Sequence, residues 1–110
     1  LAAGHFPAER AAQIYFAEGL AHFRQQEWAA ADAAYAKAVA AGHPSDPFAT
    51  WAWLHRGNIL DVQGDRKAAR KTYREVRHML NRWGTERLAE RYLDDAFDPA
   101  IHQVRLLPDG

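Results

Sequence analysis

The sequence contains no cysteine, and its single serine, Ser45, lies between two prolines. The absence of cysteine excludes a disulfide scaffold, a thiolate zinc site and a cysteine nucleophile. The sequence also lacks a nucleophile-elbow motif and the glycine-rich motifs that bind phosphates or dinucleotides. We therefore expect a protein that is not an enzyme, with no catalytic residues and no cofactor.

Long apolar runs are also missing. No segment approaches the roughly 18 apolar residues that indicate a membrane span, and no secretory leader is visible. Both observations favour a cytoplasmic protein without a membrane partner. The scarcity of lysine beside arginine, together with abundant alanine, favours a bacterial source. Because the chain begins at Leu1 rather than methionine, it remains open whether it is a fragment of a longer repeat protein or enzyme.

What is present is the composition of one folded domain: 110 residues, of which 48% are hydrophobic and 25% are charged. The formal net charge is zero, but its distribution is uneven. Residues 66–91 carry 9 basic and 3 acidic side chains, whereas the segments on either side are acidic. Such a block matters more for partner selection than the total charge does.

Apolar residues recur at steps of three and four, which predicts helices and no strands. The expected helices begin near Pro7, at Trp28, at Pro47 after an Asp46 cap, after an Asp65 cap, and after a Thr85 cap. They end at the polar break 24–27, at Gly42, at Gln63–Gly64, at Gly84 and near Phe97. Because the turns are very short, neighbouring helices should be antiparallel, which makes the fold class all-α.

An offset of 38 residues aligns the first helix pair with the second and matches glycine with glycine and tyrosine with tyrosine. Gly19 and Gly57 lie mid-helix, where glycine costs about 1 kcal/mol relative to alanine. We expect each to allow a close helix crossing, with Tyr35 and Tyr73 filling the space beside it.

This pattern resembles the tetratricopeptide repeat: an aromatic residue, a glycine four positions on, a turn such as Gly64-Asp65, then alanine, tyrosine and alanine down the second helix. The first unit departs from it, because Gln26 replaces the turn glycine. The resemblance implies an α-solenoid of antiparallel helix-turn-helix repeats in one domain spanning 1–110. We expect repeats over 12–44 and 47–82, a capping helix over 85–97 and an irregular tail over 98–110.

In this family the first helix of each pair lines a concave groove that binds a peptide. The repeat register then gives ten groove residues. Eight of them are the partner-binding candidates: Phe16, Leu20, Phe23, Arg24, Trp51, Leu54, Asn58 and Asp61. The other two are Gln13 and Val62. Four of the eight candidates would form an exposed apolar strip, a typical interaction site: Phe16, Leu20, Phe23 and Trp51. The alternative is that the N-terminal segment or a second copy of the chain buries them. If they are exposed, Phe23→Glu or Trp51→Ala should remove binding without unfolding the domain.

A carboxylate-clamp groove is disfavoured, because Leu20 and Phe16 occupy positions where the clamp needs asparagine and lysine. A separate basic surface is the alternative site: Arg66, Arg70, Lys71, Arg74 and Arg77. It would suit an acidic partner or nucleic acid. Because interleaved aromatics for base stacking are lacking, nucleic acid is the less favoured partner.

Metal binding is also disfavoured. Glu18 with His22 and Glu75 with His78 have helical spacing, but carboxylate-bridged sites need further ligands. We expect no metal site. The expected function is therefore a protein–protein interaction module that binds a partner peptide in a concave groove. The alternatives are a docking or regulatory domain excised from a larger enzyme and a self-association module that forms a homo-oligomer.

Overall fold

The computed structural model describes residues 10–42, 46–79 and 84–100. In these ranges the chain forms five α-helices and no strand: α1 Ala11–Arg24, α2 Trp28–Ala41, α3 Pro47–Val62, α4 Arg66–Arg77 and α5 Thr85–Asp94. The all-α prediction is confirmed. The expected helix start near Pro7 and the tail beyond residue 100 lie outside the described residues. None of the described helices has the length and apolarity needed to cross a membrane.

Two of the predicted helix caps are confirmed. Asp46 accepts a hydrogen bond of 2.9 Å from the backbone N–H of Phe48, and Pro47 follows it as the first helical residue. Asp65 accepts one of 3.1 Å from the N–H of Ala68. Each carboxylate thereby satisfies a backbone donor that has no partner within its helix.

The prediction of a Thr85 cap is wrong. Gly84 is the N-cap of α5, with a φ of 87°, and Thr85 is the first helical residue and is buried. A left-handed φ of this kind is open to glycine and costly for a side chain, so the cap falls one residue earlier than the sequence pattern predicts.

Helices α4 and α5 also end earlier than predicted. The N–H groups of His78 and Met79 bond to carbonyls only three residues back, and this tighter turn ends α4 at Arg77 rather than near Gly84. Helix α5 ends at Asp94, and Asp95 is extended, with φ −136° and ψ 110°. Phe97, predicted as the last apolar residue of the capping helix, therefore lies beyond it.

The helices pack in chain order, each on the next, and they form two layers. Helix α3 also contacts α1 and α5, whereas α2 and α4 share no comparable contact. We call α1, α3 and α5 the inner layer and α2 and α4 the outer layer. Closer spacing in the inner layer is the geometry of a curved helical array, in which the inner layer lines the concave side.

The predicted glycine–tyrosine packing is confirmed in both helix pairs. A Cβ atom on Gly19 would lie 2.6 Å from the ring of Tyr35, and one on Gly57 would lie 2.6 Å from the ring of Tyr73. Both tyrosines are fully buried. The absence of a side chain at each glycine is therefore what allows the two helices of a pair to meet over the aromatic ring.

Candidate functional site

The expected exposed apolar strip on the inner layer is not observed. Of the eight partner-binding candidates, six are buried, the Asp61 side chain is 1% exposed, and Arg24 is exposed. The buried members are Phe16, Leu20, Phe23, Trp51, Leu54 and Asn58. The expectation of exposure is therefore wrong, and burial, the alternative, is what the structure gives. Whether the N-terminal segment contributes lies outside the described residues. Of the two further register positions, Gln13 is exposed and Val62 is half-buried.

The physical reason is that these side chains fill the space between helix pairs. The Phe16 ring lies 5.6 Å from Phe48 and 5.5 Å from His55, so it joins α1 to α3. The Phe23 ring lies 5.1 Å from Trp28 and 5.2 Å from His55. A charge or a cavity at such a site destabilises the fold. We therefore correct the expectation for Phe23→Glu and for Trp51→Ala: both should unfold the domain.

The segment 95–100, which we call the crossing segment, contacts all three inner helices. The Phe97 ring lies 5.8 Å from Phe23 of α1 and 5.5 Å from Tyr92 of α5. Its backbone N–H donates a hydrogen bond of 2.9 Å to Oδ2 of Asp61 in α3. The inner face thus holds a short non-helical segment through one aromatic side chain and one main-chain donor.

Asp61 is the centre of a buried polar network. Arg66 donates from Nη1 to both carboxylate oxygens, at 3.0 and 3.1 Å, and the Tyr73 hydroxyl donates to Oδ2 at 2.6 Å. With the Phe97 N–H, these donors satisfy a carboxylate whose side chain is only 1% exposed. A buried charge is tolerated only with such partners, so Asp61 is held in one orientation.

The Tyr73 hydroxyl completes this network by accepting a hydrogen bond of 3.0 Å from Nδ2 of Asn58. Burial raises the pKa of Tyr73, and its hydrogen bond to Asp61 raises it further. The phenol therefore remains a neutral donor to Asp61 at any ordinary pH.

Tyr35, the repeat-related tyrosine, has a different partner. Its hydroxyl and Nδ1 of His55 form a hydrogen bond of 2.8 Å across α2 and α3. At the 38-residue offset, the position of Asp61 in the first pair is Phe23, which offers no acceptor. Burial lowers the pKa of His55 to about 3, so the imidazole is neutral at pH 7. Sequence analysis missed His55, although its spacing from Trp51 places it on the apolar face of α3.

The residues of the predicted basic surface fall into two groups in the structure, one bound to α5 and one at the surface. Arg66 donates from Nη2 to the carbonyls of Tyr92 and Leu93, at 2.7 and 3.0 Å, and Arg70 donates to Leu93 at 2.8 Å. These two arginines hold the C-terminal end of α5, whose last carbonyls have no partner within the helix. They therefore have a structural role that the sequence pattern did not reveal.

The other members of the basic set remain at the surface. Lys71 and Arg74 are exposed, with no hydrogen bond or ion pair to the described residues, and Arg77 is half-buried. Lys67, Lys71 and Arg74 line a shallow cleft on the outer layer beside Asp65. A smaller positive patch than predicted is thus available on α4.

A cleft of about 200 Å³ lies between α2, α3 and α4 and is lined in part by Asp32, Trp53 and Arg56. Arg56 lies over the Trp53 ring at 5.7 Å and donates to Asp32 at 2.9 Å. The Trp53 Nε1 donor is buried and has no hydrogen-bond partner among the described residues. These contacts brace α2 against α3.

The two Glu–His pairs considered for metal binding lie on separate helices. His22 instead pairs with Glu27, with Nδ1 and Oε1 2.8 Å apart. Within the described ranges, no group of three or more histidine, aspartate or glutamate side chains is placed to hold a metal ion.

Comparisons of the chain with protein-family models, with curated proteins and with solved structures found no match.

Proposed function

We propose that the chain is a protein–protein interaction module of the tetratricopeptide type that binds an extended segment of a partner protein at its inner face. The observation that carries the proposal is the placement of the crossing segment. A non-helical stretch of polypeptide is held there through the Phe97 side chain and the Phe97 N–H. A surface that holds one such segment in this way has the chemistry to hold another.

The contacts are of kinds that peptides commonly supply. Every extended peptide offers main-chain N–H donors, and a hydrogen bond to a charged acceptor such as Asp61 contributes about 1.5–3 kcal/mol. Full burial of an aromatic side chain between Phe23 and Tyr92 adds about 1.5–3 kcal/mol. Because Arg66 and Tyr73 hold the Asp61 carboxylate in place, little ordering is left to be lost on binding.

Two observations support the proposal that the module is of the tetratricopeptide type: the two glycine–tyrosine contacts and the two-layer packing. The same small-residue and aromatic pairing recurs in both helix pairs, which is what a duplicated packing unit requires. Helical repeats of this kind present their inner layer to ligands.

The test is a screen of a displayed library of random linear peptides against the folded chain. It is run with wild type and with Phe97→Ala, so that occupation of the face by the chain's own segment does not hide binders. Backbone amide shifts then map each binder. The expected shifts cluster on α1, α3 and the crossing segment, near Arg24 and Asp61.

A matched pair of variants sharpens the assignment. Arg24 is exposed at the end of α1, and Lys37 is also an exposed cation, on α2 of the outer layer. Arg24→Ala should weaken peptide binding, and Lys37→Ala should leave it unchanged. The proposal fails if neither chain yields a binder. It also fails if every binder shifts only α4 near Lys71 and Arg74, because that result would assign an acidic partner to the outer layer.

A further inference from the structure

The crossing segment differs from the rest of the core in how it is held. Of its six residues, only Phe97 is buried, and the other five are exposed. The segment is joined to the inner face by the Phe97 ring and by the N–H bond to Asp61. The burial of the segment against the inner face is therefore concentrated at one residue.

The helix before the segment is anchored separately. Arg66 and Arg70 bind the carbonyls of Tyr92 and Leu93, at the last turn of α5. Release of the chain from Asp95 onward would leave these bonds in place. The crossing segment can therefore leave the inner face without the loss of α5.

Resting on the proposed function, we propose that the crossing segment is a resident intrachain ligand of the inner face, and that the partner displaces it with an extended segment of the same chemistry: an aromatic residue flanked by aspartates. The aromatic side chain of the partner takes the place of Phe97 between Phe23 and Tyr92. A backbone N–H of the partner takes the place of the Phe97 donor on Asp61.

The acidic flanks are inferred from the resident segment and from the charge of the face. Asp95 and Asp98 lie on either side of Phe97 in the sequence, and both are exposed. Arg24 follows Phe23, the residue that contacts the Phe97 ring, and is also exposed. A cation at this end of the face favours a segment with carboxylates beside its aromatic residue.

The first test measures binding in trans of a synthetic peptide with the sequence of residues 94–100. The control peptide has alanine in place of the phenylalanine. An attached segment competes at an effective concentration of about millimolar, so the wild-type face is largely occupied. We expect the peptide to bind Phe97→Ala at least about 10-fold more tightly than wild type, and the control peptide to bind neither.

A second test retains Phe97 and does not depend on the fold of that variant. Val62 and Ala96 line one cleft at the end of the inner face, and the chain has no cysteine of its own. In Val62→Cys/Ala96→Cys, a bis-maleimide crosslink holds the segment in place, and the same protein capped with a monofunctional maleimide is the matched control. The crosslink should remove peptide binding, and the capped control should keep it.

The outcomes separate this inference from the proposed function. Equal peptide binding by wild type and Phe97→Ala, or equal binding by the crosslinked and capped chains, would overturn the inference. Library peptides that bind the inner face while the 94–100 peptide does not would overturn the assigned partner chemistry and leave the proposed function standing. If no library peptide binds either chain, the proposed function fails and the inference fails with it.

Discussion

The Tyr35 hydroxyl lies 2.8 Å from Nδ1 of His55, and both side chains are buried between α2 and α3. The bond links the first helix pair to the second in a region otherwise filled by aromatic rings. Burial favours the neutral imidazole, and no carboxylate among the described residues is bonded to His55 to offset a charge there. The stability of the contact between the two pairs is therefore coupled to pH.

The first prediction concerns that coupling. Burial lowers the pKa of His55 to about 3, below the value near 6.5 of an exposed histidine. Between these values the unfolded chain binds more protons, so acid favours unfolding. The stabilisation is fully present above about pH 6.5, and we expect it to fall by about 1.4 kcal/mol per pH unit below that.

Urea unfolding followed by circular dichroism at pH 7, 6 and 5 measures this slope. His55→Gln removes the titrating group but retains a side chain that can hydrogen bond to Tyr35. The variant is expected to be less stable at pH 7 and to lose less stability than wild type as the pH falls. If the free energy of unfolding falls equally with pH in wild type and in His55→Gln, the acid sensitivity comes from other groups.

The second prediction concerns Gly57. Alanine raises helix propensity by about 1 kcal/mol, but its Cβ would lie 2.6 Å from the Tyr73 ring. The ring must move, which strains the Tyr73 bonds to Asp61 and Asn58, and such overpacking costs about 1–3 kcal/mol. We expect Gly57→Ala to lower the free energy of unfolding and the chemical denaturation midpoint. Ala30→Gly, at an exposed site on α2, is the control that measures the effect of helix propensity alone. A Gly57→Ala chain more stable than wild type would contradict the expected clash with the Tyr73 ring.

The third prediction concerns the turn between α1 and α2. Gln26 has a φ of 60°, and the repeat-related Gly64 has a φ of 85°. A left-handed conformation costs a side chain about 1 kcal/mol, and Gln26 is exposed with no packing to lose. Gln26→Gly should therefore raise the free energy of unfolding by up to about 1 kcal/mol. Gly64→Gln is the reverse substitution and should lower the free energy of unfolding. A Gln26→Gly chain less stable than wild type would contradict the argument that the left-handed backbone at Gln26 is strained.

The fourth prediction separates the structural arginines from the surface cations of α4. Arg66→Ala leaves the buried Asp61 carboxylate without its bidentate partner and should destabilise the fold by about 3 kcal/mol. Arg70→Ala removes one bond to the end of α5 and should cost about 1 kcal/mol. Lys71→Ala should change stability by no more than about 0.5 kcal/mol.

Hydrogen exchange locates these effects along the chain. In Arg70→Ala the amides of α5 should exchange faster while those of α1 and α2 remain protected. Equal loss of stability in Arg70→Ala and Lys71→Ala would mean that the bond to Leu93 contributes nothing.

Much of the fold was predictable because it depends on local signals. The apolar spacing predicted the all-α class, and the Asp46 and Asp65 caps began α3 and α4 where the structure has them. The glycine and tyrosine positions predicted two close crossings. The ends of α4 and α5 were not predictable in this way, because apolar residues continue beyond both helices while the backbone turns away.

The candidate site was less predictable, since exposure is not a local property. A repeat register predicts which side chains point to the inner layer, but not what covers them. Phe23 is buried partly because Phe97 lies on it, 74 positions further along the chain. Two arginines of the basic set hold α5 because α5 packs against α4, a contact that charge patterning does not show.

The sequence by itself determined the all-α class and the two close helix crossings at Gly19 and Gly57. It could do so because helical periodicity, capping and side-chain size act over a few positions. The tertiary structure alone decided that most of the predicted binding residues are core, that Asp61 is a buried acceptor and that a non-helical segment lies across the inner face. The reason is physical: burial and hydrogen-bond satisfaction depend on which distant segment fills a given space, and that is settled only when the helices pack.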